Sequence, residues 1–178
     1  HAVNLVLDPG FAFGTGSHPT TRLCLQWLER TIRGGERVLD YGCGSGILAI
    51  AALRLGAGEA LGVDVDPLAL IAARANASRN RVDARFVSAE TFPDFQANLV
   101  VANILANPLK LLAPLLAAYT GVGGRIALSG ILEEQAQEVM AAYSPWFAMY
   151  TRERDECWVL LEGERSPEDA RLRRVLRP

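Results

Sequence analysis

Apolar, strand-like runs alternate with helix-length stretches along this chain, and that alternation constrains the fold more than any other feature. The runs are Glu36–Tyr41 (ERVLDY), Glu59–Val65 (EALGVDV), the short ARFVS, Ala97–Asn103 (ANLVVAN) and Gly124–Gly130 (GRIALSG). Helical stretches lie between and after them: GILAIAALRLG, Pro67–Asn80, Pro108–Tyr119 and EEQAQEVMAAY. A further one, TTRLCLQWLER, precedes the first strand. Strands separated by helices of this length form βαβ units and a mostly parallel sheet. The end of the chain breaks the pattern. WFAMYTRERD and ECWVLLEG have only a turn between them, and so short a turn joins only antiparallel strands. The expected fold is α/β, a mostly parallel sheet ending in an antiparallel hairpin. Pro67 suits the first position of its helix, where its missing N–H costs nothing. Pro114, inside its helix, is expected to kink it.

Ligands of such sheets sit beyond the carboxyl ends of the central strands. The tips there are Asp40–Gly46, Asp64–Asp66, Ser88–Glu90 and Asn103–Asn107. The first is DYGCGSG. Gly42 and Gly44 let the backbone turn sharply and approach a ligand closely, although a plain tight turn has the same make-up. Asp64, 24 residues past Asp40 at the next strand end, is placed to accept both hydroxyls of a ribose. Dinucleotide folds and S-adenosylmethionine folds share that pairing, and glycine spacing separates them. A dinucleotide loop is G-x-G-x-x-G. Here Ile47 stands at the third glycine's place and the pattern is G-x-G-x-G. Asp40 adds a carboxylate at the mouth of the loop, which suits a cationic amino-acid end better than a pyrophosphate. Both features favour S-adenosylmethionine. Asp66, before Pro67, reads as a helix N-cap.

Asn103 ends a buried apolar strand. It is either a cap for the next helix, for which Asn107 before Pro108 is the better candidate, or a chemical group. A methyl-accepting amine needs its lone pair aimed at the methyl carbon. The Asn103 side-chain carbonyl and the Ile104 backbone carbonyl are placed to accept its N–H bonds and fix that direction. Upstream, DPGFAFGTGSHPTT (Asp8–Thr21) has glycines at 10, 14 and 16 around Phe11 and Phe13. It reads as a lid, ordered when the cofactor is bound with Phe13 closing over the site, or else as a surface connection with both rings as anchors. His18 is expected at the start of the following helix rather than as a base.

Composition narrows the rest. The chain has 178 residues, half of them hydrophobic, and a net charge of −2. That is enough for one well-cored domain and does not suit non-specific binding to nucleic acid. No run is long enough to span a bilayer. Cys24, Cys43 and Cys157 have no metal-ligand spacing and read as reduced thiols of a cytoplasmic protein, with no metal expected. The chain starts without Met and reads as part of a longer protein.

Together, LDPGFAFGTGSHPTT, LDYGCGSGILAIAALRLGA, GVDVDPLAL and VVANILANPL resemble the ribosomal protein L11 methyltransferases, the PrmA type, from about Asn4 to Glu162. The resemblance implies a seven-stranded, Rossmann-like S-adenosylmethionine-dependent domain over 1–165. It implies methylation of lysine ε-amines and the N-terminal α-amine of a large-subunit ribosomal protein, free or on the ribosome. It also implies an N-terminal substrate-gripping domain that lies outside this chain. Cofactor contacts carried over by the resemblance are Thr21, Gly42, Asp64 and Asn103, with Gly44 and Asp40 as neighbours. Many amino-methyltransferases have an aromatic after the prolines at the Asn103 tip. This chain has Ile104-Leu105-Ala106, so Phe13 is the expected ring beside the amine. A monomer without direct nucleic-acid or membrane binding is expected. The alternatives are a nicotinamide oxidoreductase, opposed by Ile47, and a non-catalytic S-adenosylmethionine-binding module. The tail 166–178 reads as a short basic helix or a disordered end.

Overall fold

The structure, a computed structural model, describes residues 3–8 and 16–167. Its elements are α1 (Pro19–Thr31), β1 (Arg37–Tyr41), α2 (Ile47–Arg54), β2 (Glu59–Asp64), α3 (Pro67–Arg79), β3 (Arg85–Ser88), β4 (Ala97–Asn103), α4 (Ala106–Tyr119), β5 (Thr120–Leu132), α5 (Ala136–Tyr143), β6 (Phe147–Asp155) and β7 (Trp158–Arg165). The seven strands form one sheet in the order β3-β2-β1-β4-β5-β7-β6. The first five are parallel, and β7 enters antiparallel between β5 and β6. The expected fold class holds, down to the terminal hairpin.

Both faces of the sheet are covered, which is why the central strands read as continuous apolar runs. Val38, Leu99, Val101, Ala127 and Leu160 face α1 and α2. Their alternating neighbours Leu39, Val100, Ala102, Ile126 and Leu128 face α4 and α5. A third cluster joins α2 and α3 through Ala49, Ile50, Leu70, Ala73 and Phe86. Tyr143 of α5 is fully buried, and its hydroxyl donates to the Leu109 carbonyl of α4 at 2.8 Å. A buried phenol needs such a partner.

Strand order reverses between β1 and β4, because β2 lies on one side of β1 and β4 on the other. This is a topological switch point, where a crevice opens beyond the strand ends. Tyr41, Asp64 and Asn103 end β1, β2 and β4 at that edge.

Several local expectations are met and a few are corrected. Asp66 caps α3 by accepting from Leu68 N–H at 2.9 Å. His18 caps α1 by accepting from Thr20 N–H through Nδ1 and lies edge-on to Trp158. Neither Asn103 nor Asn107 caps α4. That helix starts two residues earlier than its proline suggests, with Leu105 at the cap position and no side-chain cap. Pro108 has no N–H, so the first turn has one donor fewer to satisfy. β5 begins at Thr120, four residues before the expected start. Thr120 pairs with Ala97 and Arg125 with Leu99, so Gly121–Gly124 bulge out between two pairings.

Residues 3–8 run beside the end of α3. Asn80 holds Val6 from both sides, accepting from its N–H at 2.9 Å and donating to its carbonyl at 2.7 Å. Asn76, one turn earlier, accepts from Asp8 N–H at 3.0 Å. One side-chain amide thus does for Val6 what a neighbouring strand would do.

Candidate functional site

The glycine loop forms the floor of the crevice. The N–H groups of Gly42 and Cys43 both donate to the Val63 carbonyl, at 2.7 and 2.9 Å. This pins the loop to the end of β2. Gly42, Gly44 and Gly46 all have positive φ, at 75°, 50° and 80°, a region that L side chains rarely enter. Gly42 has a second reason to be glycine: a Cβ there would lie 2.4 Å from Ile104 Cγ2. At Gly46 an added Cβ would meet Phe86 at 2.8 Å and Ala73 at 3.0 Å. The third glycine therefore packs loop against helix, one residue earlier than in a dinucleotide motif.

Two carboxylates hold this loop. Asp64 accepts from Gly44 N–H at 2.9 Å through one oxygen and from Asp66 N–H at 3.0 Å through the other. Each oxygen retains acceptor capacity for a ligand hydroxyl. Asp40 is only 1% exposed, and its Oδ2 accepts from Ala49 N–H at 3.1 Å. Burial, with a smaller contribution from the nearby Asp64 charge, pushes the Asp40 carboxyl up to about 7; the Ala49 bond opposes the rise. Burial chiefly, and then the same two carboxylates, also push the Cys43 thiol up.

The opposite wall is the end of β4. Asn103 is half-buried, and its Nδ2 donates to Thr21 Oγ1 at 3.4 Å across 82 positions of sequence. With Nδ2 turned to Thr21, Oδ1 is left as the acceptor. Ile104 follows, its side chain against Gly42 and its carbonyl against Gly130. The structure thus brings Thr21, Gly42, Gly44, Asp64, Asn103 and Ile104 to one crevice. Asp40 lies beneath the loop rather than at its open face. Phe11 and Phe13, with the loop 9–15, and the tail 168–178 lie outside the described residues.

Asn76 and Gly130 escaped the reading of the sequence. Asn76 is 1% exposed; its Nδ2 donates to the Ser45 carbonyl at 3.0 Å, joining the glycine loop to the segment at Asp8. Its signal was available. Asn is a poor helix former, and here one stands inside an alanine-rich helix with a second four residues on, at its C-terminal cap.

Comparison with known proteins follows the same lines. Residues 1–166 match the family model described as ribosomal protein L11 methyltransferase (PrmA). A ribosomal protein L11 methyltransferase of Cupriavidus metallidurans is 61% identical over 92% of this chain and 54% of its own length. The chain spans about half the length of the curated relatives it matches. Among solved structures, a ribosomal protein L11 methylase from Lactobacillus delbrueckii subsp. bulgaricus superposes with TM-score 0.82 at 36% identity, covering 90% of this chain and 84% of that one. An RNA methyltransferase from Salinibacter ruber, solved with S-adenosyl-L-homocysteine, shares the fold at TM-score 0.67 and 18% identity over 85% of this chain and 95% of that one.

Proposed function

The chain belongs to the ribosomal protein L11 methyltransferase (PrmA) family, and from that premise we propose that it transfers methyl groups from S-adenosylmethionine to primary amines of a large-subunit ribosomal protein. The acceptors are lysine ε-amines and the N-terminal α-amine. The observation that carries this reading is the Asn103–Ile104 tip, which offers two carbonyl acceptors beside the point where the Ile104 side chain meets the glycine loop at Gly42, a loop that Asp64 holds from β2. A dinucleotide reading lacks the glycine it needs at Ile47.

The residues fit the cofactor. Asp64 offers acceptors for the ribose hydroxyls, and the glycines leave the backbone open to close approach. Asp64 puts negative charge near a ligand with a sulfonium and an ammonium. Thr21 and Asn103 complete the wall. Bound there, S-adenosylmethionine would supply an electrophilic methyl group for the amine lone pair, with its sulfur leaving as the neutral thioether and the amine's proton passing to solvent.

The protein's own task is to deliver a neutral, aimed amine. A free lysine has a pKa near 10.4, so at pH 7.4 only about one part in a thousand is nucleophilic, a deficit of roughly 4 kcal/mol. Apolar walls and a neighbouring cation lower that pKa. Asn103 Oδ1 and the Ile104 carbonyl then orient the amine by accepting its N–H groups, and no covalent intermediate is needed. The substrate-gripping domain is proposed to lie in the half of the relatives' length that this chain does not span. The enzyme is proposed to act in the cytoplasm, and among the described residues no helix is long and apolar enough to cross a membrane.

Calorimetry tests the cofactor: S-adenosylmethionine is expected to bind and NADH not. Incubation of the full-length enzyme with tritiated S-adenosylmethionine and ribosomal protein L11 tests the reaction. Label on lysines and on the N-terminus is expected, and cofactor binding without transfer would favour a non-catalytic module.

A further inference from the structure

Ile104 is held between two glycines, Gly42 of the glycine loop and Gly130 of β5. Its Cγ2 fills the space that a Cβ on Gly42 would need. On the other side, a Cβ on Gly130 would lie 2.3 Å from the Ile104 carbonyl oxygen, 2.8 Å from its carbon and 3.1 Å from its nitrogen. Gly130 has φ of +84°. It follows Ser129, the partner of Asn103 in the β4–β5 ladder, and lies where the β5–β7 register shifts. The Ile104 peptide can therefore rest directly on the backbone of β5. Pro108, four residues further on, has no N–H to donate to the Ile104 carbonyl.

We propose that Gly130 is a positioning residue for methyl transfer, whose missing side chain keeps the Ile104 carbonyl in place and uncovered for the acceptor amine. The inference rests on the amine-acceptor reading of the tip. Any side chain at 130 must either push the Ile104 peptide away from β5 or stand against its oxygen. In both cases an amine N–H loses its aligned acceptor, and a misplacement of about 1 Å at a reacting centre costs on the order of 100-fold in rate. The ribose contact is remote from this effect, because β1 and β4 lie between β2, which carries Asp64, and β5.

Gly123 provides the control. It is also on β5 with positive φ, +73°, but a Cβ there meets nothing within 4 Å. Gly123→Ala and Gly130→Ala thus share the left-handed strain, and only the second touches Ile104. Both are to be made in the full-length enzyme, with turnover measured on ribosomal protein L11 and S-adenosylmethionine affinity measured by calorimetry. We expect Gly130→Ala to lower kcat by about 100-fold relative to Gly123→Ala, with cofactor affinity equal in the two. If Gly130→Ala does not fold, Gly130→Asn makes the same comparison, since Asn tolerates left-handed backbone and still carries a Cβ. Equal turnover of the 123 and 130 variants in an otherwise active enzyme would overturn the proposal. So would a loss of cofactor affinity that matches the loss of turnover. A wild-type enzyme that binds cofactor but methylates nothing would overturn the amine reading and, with it, the role of Gly130.

Discussion

The Asp40 carboxylate accepts a hydrogen bond from the backbone N–H of Ala49, the third residue of α2, at 3.1 Å. α2 begins at Gly46, which has no side chain to cap it. Asp40 supplies from β1 what a capping residue would supply from the helix itself, and its charge faces the positive end of the helix dipole.

That placement makes stability depend on pH. The Asp40 carboxyl titrates near 7 in the fold, against an ordinary value of 3.8. Between these values the folded chain holds a proton that the unfolded chain has released, so this group's contribution falls as pH rises from about 4 to about 7 and is constant above. Asp40→Asn keeps an acceptor for Ala49 and removes the titration. Urea unfolding at a series of pH values should show the slope over this window flattened in the variant. An identical slope in both proteins would assign the dependence to another group.

Asp64→Ala should weaken S-adenosylmethionine by about 1.5–3 kcal/mol, the range for hydrogen bonds to a charged group. It also removes the acceptor for Gly44 and Asp66 N–H, so the loop loses one tether. Calorimetry checks this, and unchanged affinity would reject the ribose assignment.

Asn103→Ala should lower kcat by more than it lowers cofactor affinity, because amine orientation counts chiefly in the transition state. Steady-state kinetics beside a binding titration separates the two. Weak cofactor binding with undiminished kcat would reduce Asn103 to a cofactor contact.

Asn76→Ala removes a buried amide that joins Ser45 and Asp8. The cost should be about 1–3 kcal/mol, and at about 2–4 °C per kcal/mol the Tm falls by several degrees. Amide exchange gives a sharper test. Asp8 N–H should exchange faster in the variant, while Val6 N–H, held by Asn80, should change less. Equal acceleration at both would mean that the segment detaches as one unit.

Much of this was legible in the sequence because the signals were local. Period and punctuation gave the strands, Asp66 and His18 stood beside the helices they cap, and glycine spacing separated the two cofactor classes. What could not be read was set by contacts across the sheet. The partner of Asn103 is Thr21, 82 positions away. Nothing near Asp40 in sequence says that its carboxylate turns under the loop to Ala49. Gly130 looked like any strand-ending glycine until β4 was laid beside β5. The missed start of α4 has a simpler cause: Pro108 suits a first-turn position, and it stands at the third residue of the helix rather than the first.

The clasp of Asn80 on Val6 also bears on the order in which the chain folds. The two residues are 74 positions apart, and Asn76 and Asp8 are 68 apart. Segment 3–8 leaves the ribosome long before the asparagines that hold it exist. It can bind only after α3 has formed and docked on the sheet, so its closure of a long loop comes late. Substitutions at Asn76 or Asn80 should therefore speed unfolding and leave the rate of refolding almost unchanged.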